Sequence, residues 1–98
     1  MEQDEAAAVE WLLKAGERGH PRAMALLGER FLEGRGVAKS PLLAYVWISR
    51  AAVAGSPLGQ VRKPQLTLLL SEEEQDAARW LERVQRERTR RLNAAEAP

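Results

Sequence analysis

The amino-acid sequence predicts an all-α fold of about five helices, arranged as a repeat of helical hairpins. Three observations point to this fold. Apolar residues recur at helical spacing, a tryptophan-centred motif returns along the chain, and no segment of credible length alternates as a strand should. The chain has 98 residues and no cysteine, so we expect one small domain without disulfides, thiolate–zinc sites or a cysteine nucleophile.

The internal repeat is visible in two stretches that share a tryptophan. The segment AVEWLLKAGERGHPRA aligns with AYVWISRAAVAGSPLG at an offset of 36 residues, which pairs Trp11 with Trp47. A third copy, AARWLERV, places Trp80 33 residues after Trp47. This period is about the length of one helical hairpin. We therefore expect all three tryptophans to pack, each burying about 150–250 Å² against a neighbouring hairpin.

The first two predicted helices differ in how their apolar residues are distributed. The second places Ala23, Leu27 and Phe31 at steps of four, which makes it amphipathic. Gly34 and Gly36 follow it, where the chain must turn back and a positive φ is needed. The first helix is apolar around much of its circumference, through Ala8, Val9, Trp11, Leu12, Leu13 and Ala15.

Start signals define the remaining three helices. Ser40-Pro41 and Ser56-Pro57 each supply an N-cap hydroxyl followed by proline at the first helical position. Ser71 and Glu74 form a capping box at the start of the last helix. Pro64 falls inside the fourth helix, which should kink or restart there. The expected helices cover residues 4–17, 21–33, 41–54, 57–70 and 72–90.

The glycine-rich stretch EGRGVAKS lacks the pattern of a phosphate-binding loop. A dinucleotide fingerprint needs G-x-G-x-x-G after a strand, whereas here a helix precedes Gly34 and Lys39 stands at the third glycine position. A phosphate loop would need Gly-Lys before its serine or threonine, and this chain has AKSP. We interpret both glycines as turn residues and expect no cofactor.

Residues 21–56 resemble a Sel-one-like repeat (SLR), a relative of the tetratricopeptide repeat (TPR). The matching positions of the family pattern are Ala23, Leu27, Gly28, Phe31, Gly34, Gly36, Ala44, Trp47, Ala51 and Gly55, and the flanking copies add Trp11 and Trp80. The resemblance implies a right-handed α-solenoid. Within a single domain, 1–98, we expect a partial repeat (4–20, second helix only), a complete repeat (21–56), a degenerate capping repeat (57–92) and a disordered tail (93–98).

The resemblance also implies a function, because members of this family mostly serve as adaptors that assemble other proteins. We therefore expect a protein–protein interaction adaptor or scaffold, and no enzyme. The leading alternative is a nucleic-acid-associated accessory domain. It would use a stripe of arginines at helical spacing on the last helix, Arg79, Arg83, Arg86 and Arg90. The same stripe is also interpreted as a solvated helix end that complements the helix dipole, or as a contact for an acidic protein partner. The net charge of +1 provides no global attraction to nucleic acid, and an enzyme is a distant third.

Two surfaces are expected to contact a protein partner. On the second helix the repeat signature uses the apolar positions for packing and leaves four charged residues free, namely Arg22, Glu29, Arg30 and Glu33. The apolar first helix should expose more surface than one neighbour buries, which predicts partner capture or a homodimer. The partner's identity and the pathway do not follow from the sequence.

The candidates for catalysis or metal binding are few. His20 is the only histidine, so no second histidine or cysteine completes a metal site with it. Some members of the resembled family are labelled β-lactamases, yet no serine here has a lysine three residues later, as Ser-x-x-Lys requires. Glu29 and Glu33 lie one helical turn apart, and we interpret them as a solvated pair beside Arg22 and Arg30. We expect no catalytic or metal-binding residue.

The sequence also bears on the compartment. It has no run of about 18 apolar residues, as a membrane-spanning helix would need. Its start, MEQDEAAAVEWLL, has acids where a signal peptide needs positive charge. We therefore expect a soluble, cytoplasmic protein. The chain is equally compatible with being a fragment of a longer repeat protein.

Overall fold

The computed structural model describes residues 4–96, which form five helices and, within that range, no strand. The first four helices begin and end within one residue of their predicted bounds, and each of the first three packs against the next along the chain. The predicted all-α solenoid is confirmed. The helices are α1 (Glu5–Glu17), α2 (Pro21–Glu33), α3 (Pro41–Val53), α4 (Pro57–Leu69) and α5 (Glu72–Glu96).

The helix starts use the predicted caps. The Ser40 and Ser56 hydroxyls each accept a hydrogen bond from the backbone N–H three residues later, both at 3.2 Å. The capping box of α5 is also formed. The Ser71 hydroxyl accepts from the Glu74 N–H at 3.2 Å, and the Glu74 carboxylate accepts from the Ser71 N–H at 3.0 Å. Caps of this kind contribute about 0.5–2 kcal/mol each.

The turn between α2 and α3 is built as predicted, and it does more than reverse the chain. Gly34 caps α2 with a φ of 71°, and Gly36 has a φ of 76°. A Cβ on Gly36 would collide with the backbone carbonyl of Glu5. Arg35, between the two glycines, donates a hydrogen bond from Nε to Glu5 Oε1 at 3.0 Å. The turn therefore docks on the start of α1, and glycine is required for that approach.

Helix α3 lies at the centre of the core. Its only charged residue is Arg50, and it packs against α2, α4 and α5. Two glycines allow close packing on it. A Cβ on Gly28 of α2 would lie 2.6 Å from Ile48 Cγ1, and one on Gly59 of α4 would lie 2.7 Å from the Ala52 backbone nitrogen. The buried residues of α3 are Ala44, Tyr45, Val46, Trp47, Ile48, Ser49 and Ala51.

Helices α4 and α5 are spread apart at the point where the sequence departs from the repeat pattern. Lys63-Pro64 replaces the Leu27-Gly28 pair of the complete repeat, so α4 has no glycine at the position where α3 approaches α2 in that repeat. The backbones of α4 and α5 accordingly make little contact, and α5 lies against α3 instead. The sequence predicted that α4 kinks or restarts at Pro64. The helix continues through Pro64 without restarting.

Helix α5 is longer than predicted. It continues to Glu96, so residues 93–96 of the predicted disordered tail are helical, and residues 97–98 lie outside the described range. No glycine or proline occurs between Glu72 and Glu96, and alanine, arginine and glutamate favour helix. Nothing in the local sequence ends the helix earlier.

The tryptophans differ in burial, which corrects the prediction for two of them. Trp47 is 5% exposed, and a Cβ on Gly16 of α1 would lie only 3.2 Å from its ring. Trp11 is 76% exposed, because no described element lies on the far side of α1. Trp80 is 60% exposed, because α5 turns Ala78 and Leu81 toward the core instead. A repeated position is buried only where both neighbouring helices are in place.

Candidate partner-binding surfaces

The charged face of α2 is partly used by the fold itself. Glu29 accepts hydrogen bonds from the Arg62 guanidinium of α4, at 2.6 Å from Nε and 3.4 Å from Nη2. Arg30 is half-buried, with Nη1 at 3.8 Å from Glu5 Oε1 of α1. These two residues therefore link α2 to its neighbours, which corrects the expectation that they are free. Arg22 and Glu33 remain exposed.

The outer face of α1 presents an apolar surface with a basic border. Trp11 lies beside a groove of about 850 Å³ that extends to Pro21 at the start of α2. Lys14 and Arg18 line the same groove, and so does His20. His20 is the residue that precedes α2, and its side chain makes no capping hydrogen bond. This surface combines a large exposed aromatic ring with positive charge.

The arginine stripe of α5 divides into two parts. All four arginines lie on a continuous helix and are exposed. Arg79 pairs with Asp76 at 3.1 Å on the outside of the helix. Arg86 and Arg90, by contrast, line a groove that also includes residues of α3, whereas Arg79 and Arg83 do not. The sequence predicted the stripe but not this division, which depends on how α5 lies against α3.

The groove between α3 and α5, called here the α3–α5 groove, has a volume of about 770 Å³. Sequence analysis missed two of its cations, Arg50 and Lys63. The repeat alignment contained a signal for Arg50, which occupies the position of Lys14 and Arg83 in the other copies. The residues that line the groove are Met24, Ser49, Arg50, Val53, Ala54, Lys63, Glu82, Arg86 and Arg90.

Arg50 is held in a defined position at the edge of this groove. Its guanidinium carbon lies 4.5 Å from the centroid of the Trp47 ring, within the range of a cation–π interaction. Its Nη1 donates a hydrogen bond to Gln85 Oε1 of α5 at 3.0 Å. Burial lowers the pKa of Arg50, and this outweighs the opposing attraction of Glu82 and Glu17; the positive charge of Arg86 lowers it further. The lowered pKa therefore reflects mainly the loss of water around the Arg50 guanidinium.

One family model matches this chain. The family model described as Sel1 repeat matches residues 1–20 and 21–56, which together make up more than half of the chain. A search of curated proteins found no match. Within residues 4–96, no helix has the length and apolar character needed to cross a bilayer.

Proposed function

Because the chain belongs to the Sel1 repeat family, whose repeats are generally protein–protein interaction modules, we propose that it is an adaptor or scaffold module that binds another protein. The family is a repeat scaffold type and not an enzyme type. The observation that carries the proposal is the exposed apolar face of α1. Its centre is Trp11, whose side chain is left in solvent while the equivalent Trp47 is buried.

An exposed tryptophan with neighbouring apolar residues favours a protein interface. Ala7 and Ala15, one helical turn before and after Trp11, line the adjoining groove with it. Tryptophan is enriched among the residues that dominate binding energy at interfaces, because it buries a large area at low entropic cost. We propose that this face binds a partner chain. A second copy of the protein fits the same face, since two such faces can meet about a two-fold axis.

The substitution Trp11→Lys tests this surface. We expect the variant to fold normally, because surface substitutions usually change stability by no more than about 0.5 kcal/mol. We expect it to lose partner binding, because a charge replaces the apolar centre of the interface. Leu68→Lys is the matched control, since Leu68 is 88% exposed and lies on α4, away from α1.

Two measurements separate the possible occupants. Sedimentation velocity at tens of micromolar should show a dimer for the wild type and for Leu68→Lys, and a monomer for Trp11→Lys, if the occupant is a second copy. If all three sediment as monomers, affinity capture from the native host followed by mass spectrometry should show proteins that Trp11→Lys alone fails to retain. Identical behaviour of Trp11→Lys and Leu68→Lys in both measurements would remove α1 as the interface.

The exposed charges of α2 are the second proposed contact surface. Arg22 and Glu33 are the residues to change, because reversal of Glu29 or Arg30 would also disturb interhelical ion pairs. We expect the double variant Arg22→Glu/Glu33→Lys to keep its melting temperature and to bind the captured partner more weakly. Glu87→Lys/Arg88→Glu makes the same two charge changes on exposed residues of α5. If both double variants retain the partner equally well, this face of α2 is not a contact surface.

A further inference from the structure

The α3–α5 groove concentrates positive charge in a nearly neutral protein. Four cationic side chains and one carboxylate line it, a surplus of three positive charges, whereas the whole chain carries a net charge of +1. Among residues 4–96, none of the ion pairs includes Arg50, Lys63, Arg86 or Arg90. The fold thus gathers these cations without neutralising them.

The groove also holds hydrogen-bonding groups that the described part of the chain leaves unused. Ser49 is only 2% exposed, and its hydroxyl has no hydrogen-bond partner among the described residues. Glu82 Oε1 is likewise buried without a partner there. Nearly all buried polar atoms in folded proteins have a partner, so each exception calls for an explanation. Both atoms belong to residues that line the groove, although each atom is itself covered by the protein.

We propose that the α3–α5 groove binds an extended acidic peptide segment of a partner protein, whose carboxylates contact Arg50, Arg86 and Arg90. This inference rests on the proposed adaptor role and names the chemistry that one of its surfaces recognises. An arginine fork binds a carboxylate through two parallel hydrogen bonds, and such charge-assisted bonds are the strong ones. Arg50 is preorganised for this contact by Trp47 and Gln85, which reduces the entropy lost on binding.

The lining of the groove favours a peptide over a polynucleotide. Met24, Val53 and Ala54 supply apolar surface that suits the side chains between acidic residues. Single-stranded nucleic acid is held by aromatic rings on which bases stack, and no aromatic residue lines this groove. The nearby Trp47 ring is buried behind the Arg50 guanidinium.

Fluorescence polarisation with defined probes tests the proposal. The probe is a fluorescein-labelled octapeptide in which glutamate alternates with leucine, and its glutamine counterpart controls for charge. We expect Arg86→Gln/Arg90→Gln to weaken binding of the acidic probe by about tenfold, since it removes two exposed ion pairs with the carboxylates of the probe. The matched control, Arg79→Gln/Arg83→Gln, removes the same charge from the same helix outside the groove and should change affinity less than about twofold.

A third variant should act in the opposite direction. Glu82 is the only carboxylate that lines the groove, so Glu82→Gln removes repulsion toward an acidic ligand and should tighten binding several-fold. Far-UV circular dichroism verifies that every variant remains helical. The substituted arginines are exposed and lie on α5, so loss of the fold is not expected.

The outcomes decide between the groove and its alternatives. Equal loss in the two double variants would mean diffuse attraction to α5 and would overturn the proposal, as would no loss in either. Binding of a 20-nucleotide single-stranded oligonucleotide without binding of the acidic peptide would assign the groove to nucleic acid instead. Trp11→Lys should leave the peptide affinity unchanged, so failure of capture through α1 and failure of peptide binding in the groove are observed separately.

Discussion

Trp47→Ala should lower the free energy of unfolding by about 3–5 kcal/mol, a large part of the roughly 5–15 kcal/mol expected for a domain of this size. The ring is 5% exposed and fills the space between Gly16 of α1 and Met24 of α2, so its removal leaves a cavity where three helices meet. It also removes the surface that supports the Arg50 guanidinium. Urea and thermal unfolding followed by circular dichroism measure the loss.

Trp11→Ala is the control for this prediction, because it makes the same chemical change at the equivalent repeat position. Trp11 is 76% exposed, and its replacement should change stability by no more than about 0.5 kcal/mol. The difference between the two losses of unfolding free energy therefore measures the effect of burying the tryptophan ring. Equally small losses would contradict the packing described for Trp47. Equally large losses would mean that Trp11 is as buried as Trp47 in solution.

Gly36→Ala should also be strongly destabilising, by about 2–5 kcal/mol. A positive φ costs a residue with a Cβ about 1–2 kcal/mol, and Gly36 has a φ of 76°. The added Cβ would also lie 2.6 Å from the Glu5 carbonyl carbon, and backbone atoms cannot rotate away as a side chain can. Separating the turn from α1 adds about 1–3 kcal/mol, the usual range for overpacking. Chemical denaturation gives the total.

Gly55→Ala separates the two contributions. Gly55 has a φ of 99°, and a Cβ there would meet no atom within 4 Å. We expect its replacement to cost only the conformational strain of about 1–2 kcal/mol. The excess cost of Gly36→Ala then measures the contact between the turn and α1. If Gly36→Ala costs no more than Gly55→Ala, that contact contributes nothing to stability.

Local features of the fold were predictable because they depend on residues close together in the chain. The hydroxyls of Ser40 and Ser56 cap helices through bonds that span three residues. Gly34 ends α2 because only a few consecutive residues determine where a positive φ is needed. The burial of Trp47 was also predictable, since the complete repeat supplies neighbours on both sides of α3.

The candidate surfaces were less predictable because they depend on contacts between distant parts of the chain. Glu29 looked free in the sequence, yet Arg62 lies 33 residues away and pairs with it. The same limitation applied to Gly36, which was recognised as a turn residue while its approach to α1 was not. The Sel1 repeat pattern describes which positions pack when a neighbouring repeat is present, and it does not say whether one is.

The sequence alone determined the class of fold, the number of helices, their caps and the buried position of Trp47, because helix periodicity and capping are encoded within a few turns of chain. Only the tertiary structure decided that Trp11 and Trp80 are exposed, and that Arg50, Arg86 and Arg90 line one groove. The physical reason lies at Lys63-Pro64. Without a glycine at the position of Gly28, α4 offers no close approach to α5, so α5 lies on α3 and brings its arginines beside Arg50.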